Sequence, residues 1–281
     1  MTTVSTIIPV YNRFDDLPET LASVFGQTRP PEEVILVDDC STESLDAHLA
    51  RHPPPRPVRV LRTDRNRRVA GARNWGWQHA RGELIAFNDS DDLWAPNKLE
   101  LQLGWLEAAP ELDGVYGAMT AFYPDGRTQS WADDRPPMVD AAAALCDANM
   151  TVQTLLVKRT ALEALGGFDE SFGILDDQDI SIRMARLGQR VRFVVDPPLV
   201  RHRRNDGNYS SRAGRFFVED LQIIWKHRAL CNELYGPGSD RVHLSRALER
   251  FAGRRPRLGL PARLLARVLG ATARSSRMPR M

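Results

Sequence analysis

The sequence predicts an α/β fold: a mostly parallel sheet flanked by helices, with a smaller antiparallel element in the second half. Short apolar runs alternate with helical periodicity through the first 110 residues, as β-α-β units do. Polar clusters stand directly after several of these runs. The chain has 281 residues, of which 42% are hydrophobic, enough for a substantial core.

The first half alternates regularly. Apolar, β-branched runs predict strands over 4–10, 33–37, 58–61 and 83–87. Leucines and other apolar residues at helical spacing predict a helix from 17 to Gly26, and 69–80 predicts another. A Ser/Thr turn at 41–44 opens a further element, and the four prolines within 52–57 predict a loop.

The second half is less regular. We expect a helix over 98–108 and a hairpin from 115–123 and 128–131 around Pro124-Asp125-Gly126. A strand over 151–157, a helix ending at Gly166-Gly167, a helix over 180–187 and a strand over 191–195 follow. The polar segment 202–211 predicts a loop.

Cysteine spacing, targeting signals and charge each bear on the class of protein and its location. The three cysteines have neither disulfide nor zinc spacing, which favours a reducing cytoplasm. Neither an export signal nor a membrane-spanning segment is expected.

The net charge is +2, but the segment 251–281 carries eight arginines and no acidic residue. An apolar stripe in this tail predicts either a short interfacial helix on an anionic membrane or a disordered basic tail. Nucleic-acid binding is disfavoured because aromatic residues are not interleaved.

The acidic cluster Asn88-Asp89-Ser90-Asp91-Asp92 follows a buried strand. Two carboxylates about 5 Å apart repel by roughly 3 kcal/mol at an effective dielectric constant near 20. The cluster therefore lies in open solvent or holds a cation, and Mg²⁺ or Mn²⁺ suits carboxylate oxygens and substrate phosphates. Alternatively, Asp89 and Asp91 are turn and helix-capping residues.

Polar groups after three strands should meet at one edge of the sheet: Tyr11-Asn12, Asp38-Asp39 and the cluster at 89–92. A second acidic cluster, Asp176-Asp177-Gln178-Asp179, lies some 85 residues further on. One cluster can bind a metal that neutralises a departing diphosphate, while the other accepts a proton from an acceptor hydroxyl. Taken alone, Asp177 is better explained as a first-turn residue that the helix dipole favours.

The order and spacing of several motifs resemble glycosyltransferase family 2 over about residues 3–210. The motifs are Ser5-Thr6-Ile7-Ile8-Pro9-Val10-Tyr11-Asn12, Val37-Asp38-Asp39-Cys40-Ser41, Ala72-Arg73-Asn74, Asp89-Ser90-Asp91-Asp92-Leu93-Trp94 with Pro96 and Lys98-Leu99, Gly166-Gly167-Phe168-Asp169-Glu170, and Asp176-Asp177 with Arg183. The resemblance implies a GT-A fold and inverting, metal-dependent transfer of a sugar, of hexosyl type, from a nucleotide sugar to an acceptor hydroxyl.

The resemblance also implies roles for individual residues. Asp39 would contact the nucleotide base, Asp89 the ribose, and Asp91 a Mn²⁺ or Mg²⁺ ion on the diphosphate. Asp177 would be the general base, although its neighbour Asp176 stands where Glu is frequent and leaves the choice within the pair open. The remaining candidates are Pro9, Tyr11, Asn12, Arg73 and Ser90 for the donor, His202 for the metal, and Asp92, Asp176 and Trp94 as supporting residues.

Several of these residues have ordinary structural interpretations as well. Arg73 either neutralises donor phosphate or pairs with a neighbouring aspartate. Trp94 is either core or pocket wall, or a platform on which a sugar stacks. His202 lies either in a lid over the donor or in a solvated basic loop. Cys40 and Arg68 occupy positions where the family often has glycine. The Gln-x-x-Arg-Trp motif of processive synthases is absent, which favours transfer of one sugar per encounter.

We therefore expect a nucleotide-sugar-binding half over 1–115, an acceptor and catalytic-base half over 116–220, a helical extension over 221–250 and the basic tail over 251–281. UDP is the favoured nucleotide, and the acceptor is a glycan, a lipid-linked intermediate or a small molecule. The expected location is the cytoplasm, with peripheral contact to the inner face of the membrane through residues 254–280. A non-catalytic nucleotide-sugar-binding protein and a nucleotidyltransferase are the alternatives.

Overall fold

The computed structural model describes residues 2–130, 137–138, 140, 144–145, 150–204, 213–241, 244 and 247–248. The chain divides into two compact units, one formed by 1–144 with 148–205 and the other by 145–147 with 206–281. The candidate site residues all belong to the first unit. The basic tail expected over 251–281 lies outside the described residues.

A seven-stranded sheet forms the centre of the first unit. Its strands are β1 (Val4–Val10), β2 (Glu33–Asp38), β3 (Arg59–Arg62), β4 (Leu84–Phe87), β6 (Gly114–Gly117), β9 (Leu156–Lys158) and β10 (Val191–Val194). They are arranged in the order β10-β6-β9-β4-β1-β2-β3. All neighbours are parallel except β9, which runs antiparallel to both β4 and β6. The predicted α/β class is confirmed.

Helices connect the parallel strands. They are α1 (Leu17–Phe25), α2 (Leu45–Arg51), α3 (Arg68–His79), α4 (Lys98–Ala108), α5 (Arg159–Leu165) and α6 (Asp176–Arg186). Buried apolar residues form two clusters, because successive side chains of a strand point to opposite faces. Ile8 belongs to one cluster and Ile7 to the other. The sheet is thus covered on both faces, as parallel sheets require.

A second, four-stranded sheet packs in the same unit. It contains β5 (Leu93–Trp94), β7 (Met119–Phe122), β8 (Thr128–Ser130) and β11 (Val200–Arg203), in the order β5-β11-β7-β8. The predicted hairpin is present as β7 and β8. The element is mixed rather than wholly antiparallel, however, because β11 runs parallel to β7. The predicted strand over 115–123 is divided between the two sheets.

Three sequence predictions in the second half are wrong in detail. Residues predicted as a strand from 151 begin instead with a 3₁₀ turn, Val152–Thr154, and only then enter β9. The last predicted helix begins at Asp176 rather than at 180, so the second acidic cluster lies inside its first turn. His202 lies in β11 rather than in a loop, since backbone pairing with β7 extends to Arg203.

The second unit is described mainly by the helix α7 (Ala213–Tyr235). After it, the Ser239 hydroxyl donates to the backbone oxygen of Cys231 at 2.8 Å. No helix within the described ranges combines the length and the apolar character that a membrane span needs.

Candidate functional site

The first component of the site is the buried carboxylate of Asp39, just beyond the end of β2. Its Oδ1 accepts hydrogen bonds from the Thr63 hydroxyl at 3.0 Å and from the backbone N–H of Arg67 at 2.8 Å. Burial raises the pKa of Asp39, while these two donors act in the opposite direction. The hydrogen bonds from Thr63 and Arg67 hold the carboxylate at the C-terminal edge of the sheet.

The turn after β1 lies against the same loop. Pro9 is within β1, opposite Val37 of β2, and Tyr11 beyond the strand is 47% exposed. Asn12 adopts a left-handed conformation (φ 49°), and its Oδ1 accepts the backbone N–H of Thr42 at 2.7 Å. The first two predicted polar clusters are thus brought together.

The acidic cluster follows β4, the other neighbour of β1 in the sheet. Ser90 anchors its loop through its backbone oxygen, which accepts the Thr20 hydroxyl at 3.0 Å. Asp91 is mostly buried, and burial together with the charges of Asp92 and Asp89 raises its pKa to about 7. The neighbouring carboxylates thus act on the pKa of Asp91 in the same direction as its burial.

Asp92 is completely buried and holds the end of β11. Its carboxylate lies 3.0 Å from the Nδ1 of His202, and its Oδ1 accepts the backbone N–H of Arg203 at 2.9 Å. Burial acts to raise the pKa of Asp92, and the histidine opposes this. Burial acts to lower the pKa of His202, but the bond and charge of Asp92 outweigh it and raise that pKa. The contact between the two side chains thus favours the charged form of each.

These residues fit a divalent cation that shares its coordination with a substrate. A carboxylate against an imidazole nitrogen orients the ring so that the opposite nitrogen faces a metal, as in many metal sites. In the part of the chain that the structure describes, no three His, Cys, Asp or Glu side chains form a cation site. Mg²⁺ and Mn²⁺ commonly use only one or two protein carboxylates and complete their coordination with water and phosphate. Burial and the neighbouring carboxylates raise the pKa of Asp91, so a bound cation would stabilise its charged form.

Arg73 joins the two acidic clusters. It lies on α3 with a side chain only 4% exposed. Its guanidinium contacts Asp89 Oδ1 at 2.7 Å and Asp176 Oδ2 at 2.5 Å. The buried pairing raises the pKa of Arg73, which keeps the guanidinium charged. Of the two alternatives for this arginine, the structure shows the pairing with aspartates.

The second acidic cluster begins α6. Asp176 is buried against Arg73, whereas Asp177 is half-buried and its Oδ1 accepts the backbone N–H of Gln178 at 2.7 Å. Leu175 precedes the helix and makes no side-chain cap, so the acidic residues themselves meet the exposed N–H groups of the first turn. The two neighbouring carboxylates therefore differ in their contacts: Asp176 pairs with the buried Arg73, whereas Asp177 accepts a backbone N–H at the start of α6.

Trp94 belongs to the core rather than to an open pocket wall, since it is only 3% exposed. The Nζ of Lys98 lies 4.2 Å from the centre of its ring and 2.8 Å from the Oε1 of Gln102. Lys98 is completely buried, and burial lowers its pKa to about 7.

Several supporting contacts were not expected from the sequence. Thr63 and the backbone of Arg67 hold Asp39, and the amide of Gln153 lies 3.4 Å from Asp92. These contacts join residues far apart in the sequence, and no local pattern indicated them.

Comparison with known proteins identifies the family. The model of Glycosyl transferase family 2 matches residues 5–163, more than half of the chain. The chain belongs to this family. The match covers the first acidic cluster and Arg73, and the resemblance expected from the motifs is confirmed.

Relatives of this glycosyltransferase carry related names. An uncharacterized glycosyltransferase of Haemophilus influenzae is 27% identical over 198 residues, 70% of this chain and 66% of the relative. The succinoglycan biosynthesis protein ExoO of Rhizobium meliloti is 40% identical over 106 residues, 38% of this chain and 30% of the relative. The Escherichia coli UDP-Glc:alpha-D-GlcNAc-diphosphoundecaprenol beta-1,3-glucosyltransferase WfaP is 27% identical over 193 residues, 68% of this chain and 73% of the relative. The chain therefore spans from about a third to under three quarters of these relatives.

Solved structures establish the fold of this glycosyltransferase as GT-A. The Staphylococcus aureus TarS fragment in complex with UDP-GlcNAc matches with a TM-score of 0.69 at 21% identity, over 94% of this chain and 79% of that one. The mannosyltransferase PcManGT of Pyrobaculum calidifontis, in complex with GDP-Man and Mn²⁺, matches with a TM-score of 0.62 at 21% identity, over 98% and 75%.

Proposed function

We propose that this glycosyltransferase is an inverting, metal-dependent and non-processive hexosyltransferase that uses a UDP-sugar as donor. The bridge made by Arg73 carries the proposal. It brings Asp89, on the donor side, and Asp176, beside the proposed base, to one guanidinium at 2.7 and 2.5 Å. Donor and proton acceptor would then face the same reacting atom.

Each site residue has a separate role in donor or metal binding in this proposal. Asp39, rigid at the end of β2, would accept hydrogen bonds from the nucleobase, while Asp89 would face the ribose. Pro9, Tyr11, Asn12 and Ser90 would form the donor wall. Asp91 would hold Mn²⁺ or Mg²⁺, with His202 as a second ligand oriented by Asp92. Such an ion, when bound, stabilises the negative charge that develops on the diphosphate.

The base is Asp177 in this proposal. Asp176 is committed to Arg73 by a buried ion pair, and removing that carboxylate would leave the buried guanidinium with one of its two carboxylate partners, Asp89. Asp177 accepts the proton of the acceptor hydroxyl while the oxygen bonds to the anomeric carbon. The carbon–oxygen bond to the diphosphate breaks, and its electron pair leaves with the diphosphate. Attack opposite the leaving group inverts the anomeric configuration.

Further support concerns donor and acceptor. The names of related proteins include UDP-Glc with a diphosphoundecaprenol-linked acceptor, and UDP-GlcNAc is bound in TarS. A lipid-linked glycan is accordingly our preferred acceptor for this chain. The basic segment 254–280 would then give peripheral contact with the cytoplasmic face of a membrane, because each arginine near an anionic surface contributes up to about 1 kcal/mol.

Replacement of Asp177 tests the mechanism. We expect Asp177→Asn to lower kcat by about 10²–10⁴-fold, the usual contribution of a general base, with little change in binding of UDP and Mn²⁺. Glu163→Gln, at an exposed position of α5, is the matched control and should keep full activity. Full transfer by Asp177→Asn would refute the assignment. Binding of a UDP-sugar by the wild-type protein without UDP release would indicate a non-catalytic module, and pyrophosphate release a nucleotidyltransferase.

A further inference from the structure

Arg68 stands at a backbone position that disfavours it. Its φ is +61°, in the left-handed region that side chains other than glycine rarely adopt. An arginine retained in such a conformation indicates a constraint from its surroundings, and constraints of this kind cluster at functional sites. The side chain is half-buried, so its contacts can be examined for the reason.

The two hydrogen bonds of the Arg68 guanidinium reach one segment. Its guanidinium donates to the backbone oxygen of Glu170 at 3.0 Å and to that of Ser171 at 3.4 Å. These residues lie more than 100 positions away along the chain, in the segment 166–175 between α5 and α6. That segment leads directly into the helix that carries Asp177.

The other end of the same loop belongs to the donor side. The backbone N–H of Arg67, the residue before Arg68, donates to the buried Asp39 at 2.8 Å. The amide of Asn66 donates to the backbone oxygen of Asp39 at 3.2 Å. Three consecutive residues therefore connect the proposed nucleobase carboxylate to the segment before α6.

A second contact on α3 limits how that segment can move. Asn74 donates to the backbone oxygen of Phe168 at 2.9 Å and accepts the backbone N–H of the same residue at 2.8 Å. Phe168 is thereby fixed, while Glu170 and Ser171 lie further along toward α6. Asn74 also donates to the side-chain Oε1 of Glu170 at 3.2 Å, whereas Arg68 donates to the backbone oxygens of Glu170 and Ser171.

We propose that Arg68 is a positioning residue that sets the distance between the nucleobase loop and the segment leading to Asp177. The proposal rests on the proposed function for its effect on catalysis, but the clamp itself is a property of the free protein. Loss of the clamp should displace the proposed base relative to the donor. A displacement near 1 Å at a reacting group can cost up to about 10²-fold in rate.

Three variants separate the side chain from the backbone. Arg68→Gly removes the hydrogen bonds and suits the positive φ, Arg68→Ala removes the bonds and keeps the unfavourable conformation, and Arg68→Lys keeps a cationic donor. Arg65→Ala, an exposed arginine of the same loop, is the matched control. If Arg68 were only structural, the glycine variant would be at least as stable and as active as the wild-type protein.

The first measurement is amide hydrogen exchange without ligand. We expect residues 169–177 to exchange about fivefold faster or more in the glycine and alanine variants, with β2 unchanged and the lysine variant intermediate. The second is steady-state kinetics, in which kcat should fall about tenfold while KM for the donor stays within about threefold. Unchanged exchange in Arg68→Gly would overturn the clamp, and so would wild-type kcat in that variant. If the wild-type protein transfers no sugar, the proposed function fails, and the exchange result alone decides on the clamp.

Discussion

Lys98 allows a test of how a buried charge affects the stability of this protein. Its ammonium group is completely buried, with Gln102 as its hydrogen-bond partner and the ring of Trp94 beside it. The pKa falls from 10.5 to about 7, which corresponds to an upper bound of roughly 4–5 kcal/mol against the charged form, at about 1.4 kcal/mol per unit. Lys98→Met preserves the volume and removes the charge.

The sign follows from proton binding. Between pH 7 and 10.5 the unfolded chain holds a proton on Lys98 that the folded protein has released, so stability rises with pH in this window and the full penalty applies below it. The variant lacks this dependence, but it leaves Gln102 without its lysine donor, at a cost of about 1–3 kcal/mol. We expect Lys98→Met to be more stable than the wild-type protein by about 2 kcal/mol at pH 6 and less stable at pH 10.

Urea unfolding at pH 6, 8 and 10 measures this reversal, since the unfolding slope should be unchanged and the midpoint should cross that of the wild-type protein. Leu101→Met, a partly buried residue of the same helix, controls for the introduced methionine. A variant that is less stable at all three pH values by the same amount would refute the reasoning, because it would show that Lys98 titrates alike in both states.

Other perturbations give distinct outcomes. Arg73→Met should destabilise by about 3–5 kcal/mol, since it leaves the carboxylate of Asp176 buried without its partner, and adding Asp176→Asn should recover part of the loss in a double-mutant cycle of unfolding free energies. Asp91→Asn should abolish the Mn²⁺-dependent rise in melting temperature; an unchanged rise would exclude Asp91 as the ligand. Gly76→Ala should destabilise by about 1–3 kcal/mol, because its Cβ would lie 2.3 Å from a β1 isoleucine, whereas Gly104→Ala, with nothing within 4 Å, should be neutral or stabilising in the same melts.

The first half of the fold was largely predictable because local signals agree there with tertiary packing. Strands β1, β2 and β4 read as buried runs, and their following polar residues mark the sheet edge where they were expected to meet. Prediction failed where strand pairing overrides the local pattern, in both halves of the chain. A two-residue strand such as Leu93–Trp94 has no periodicity, and β11 extends through His202 only because β7 lies beside it.

The candidate site was likewise predictable from the sequence only in part. The residue types and their order indicated donor, metal and base candidates, but the role of Arg73 as a bridge required the fold. Nothing local distinguishes an arginine that meets phosphate from one that meets two aspartates 16 and 103 positions away. The division between Asp176 and Asp177 likewise depends on which carboxylate faces α3.

The position of the antiparallel strand β9 limits where the chain can be truncated without exposing a strand edge. The strand β9 (Leu156–Lys158) lies between β4 and β6. The pairing partner of β4 on this side therefore comes from a segment about 70 residues downstream. A fragment ending at residue 115 would leave the apolar β4 with an open hydrogen-bonding edge, which invites pairing with another copy. During synthesis the same edge remains uncovered until β9 emerges, and this long-range pairing slows folding. The half proposed to bind the nucleotide thus depends, for a strand of its sheet, on the half proposed to bind the acceptor.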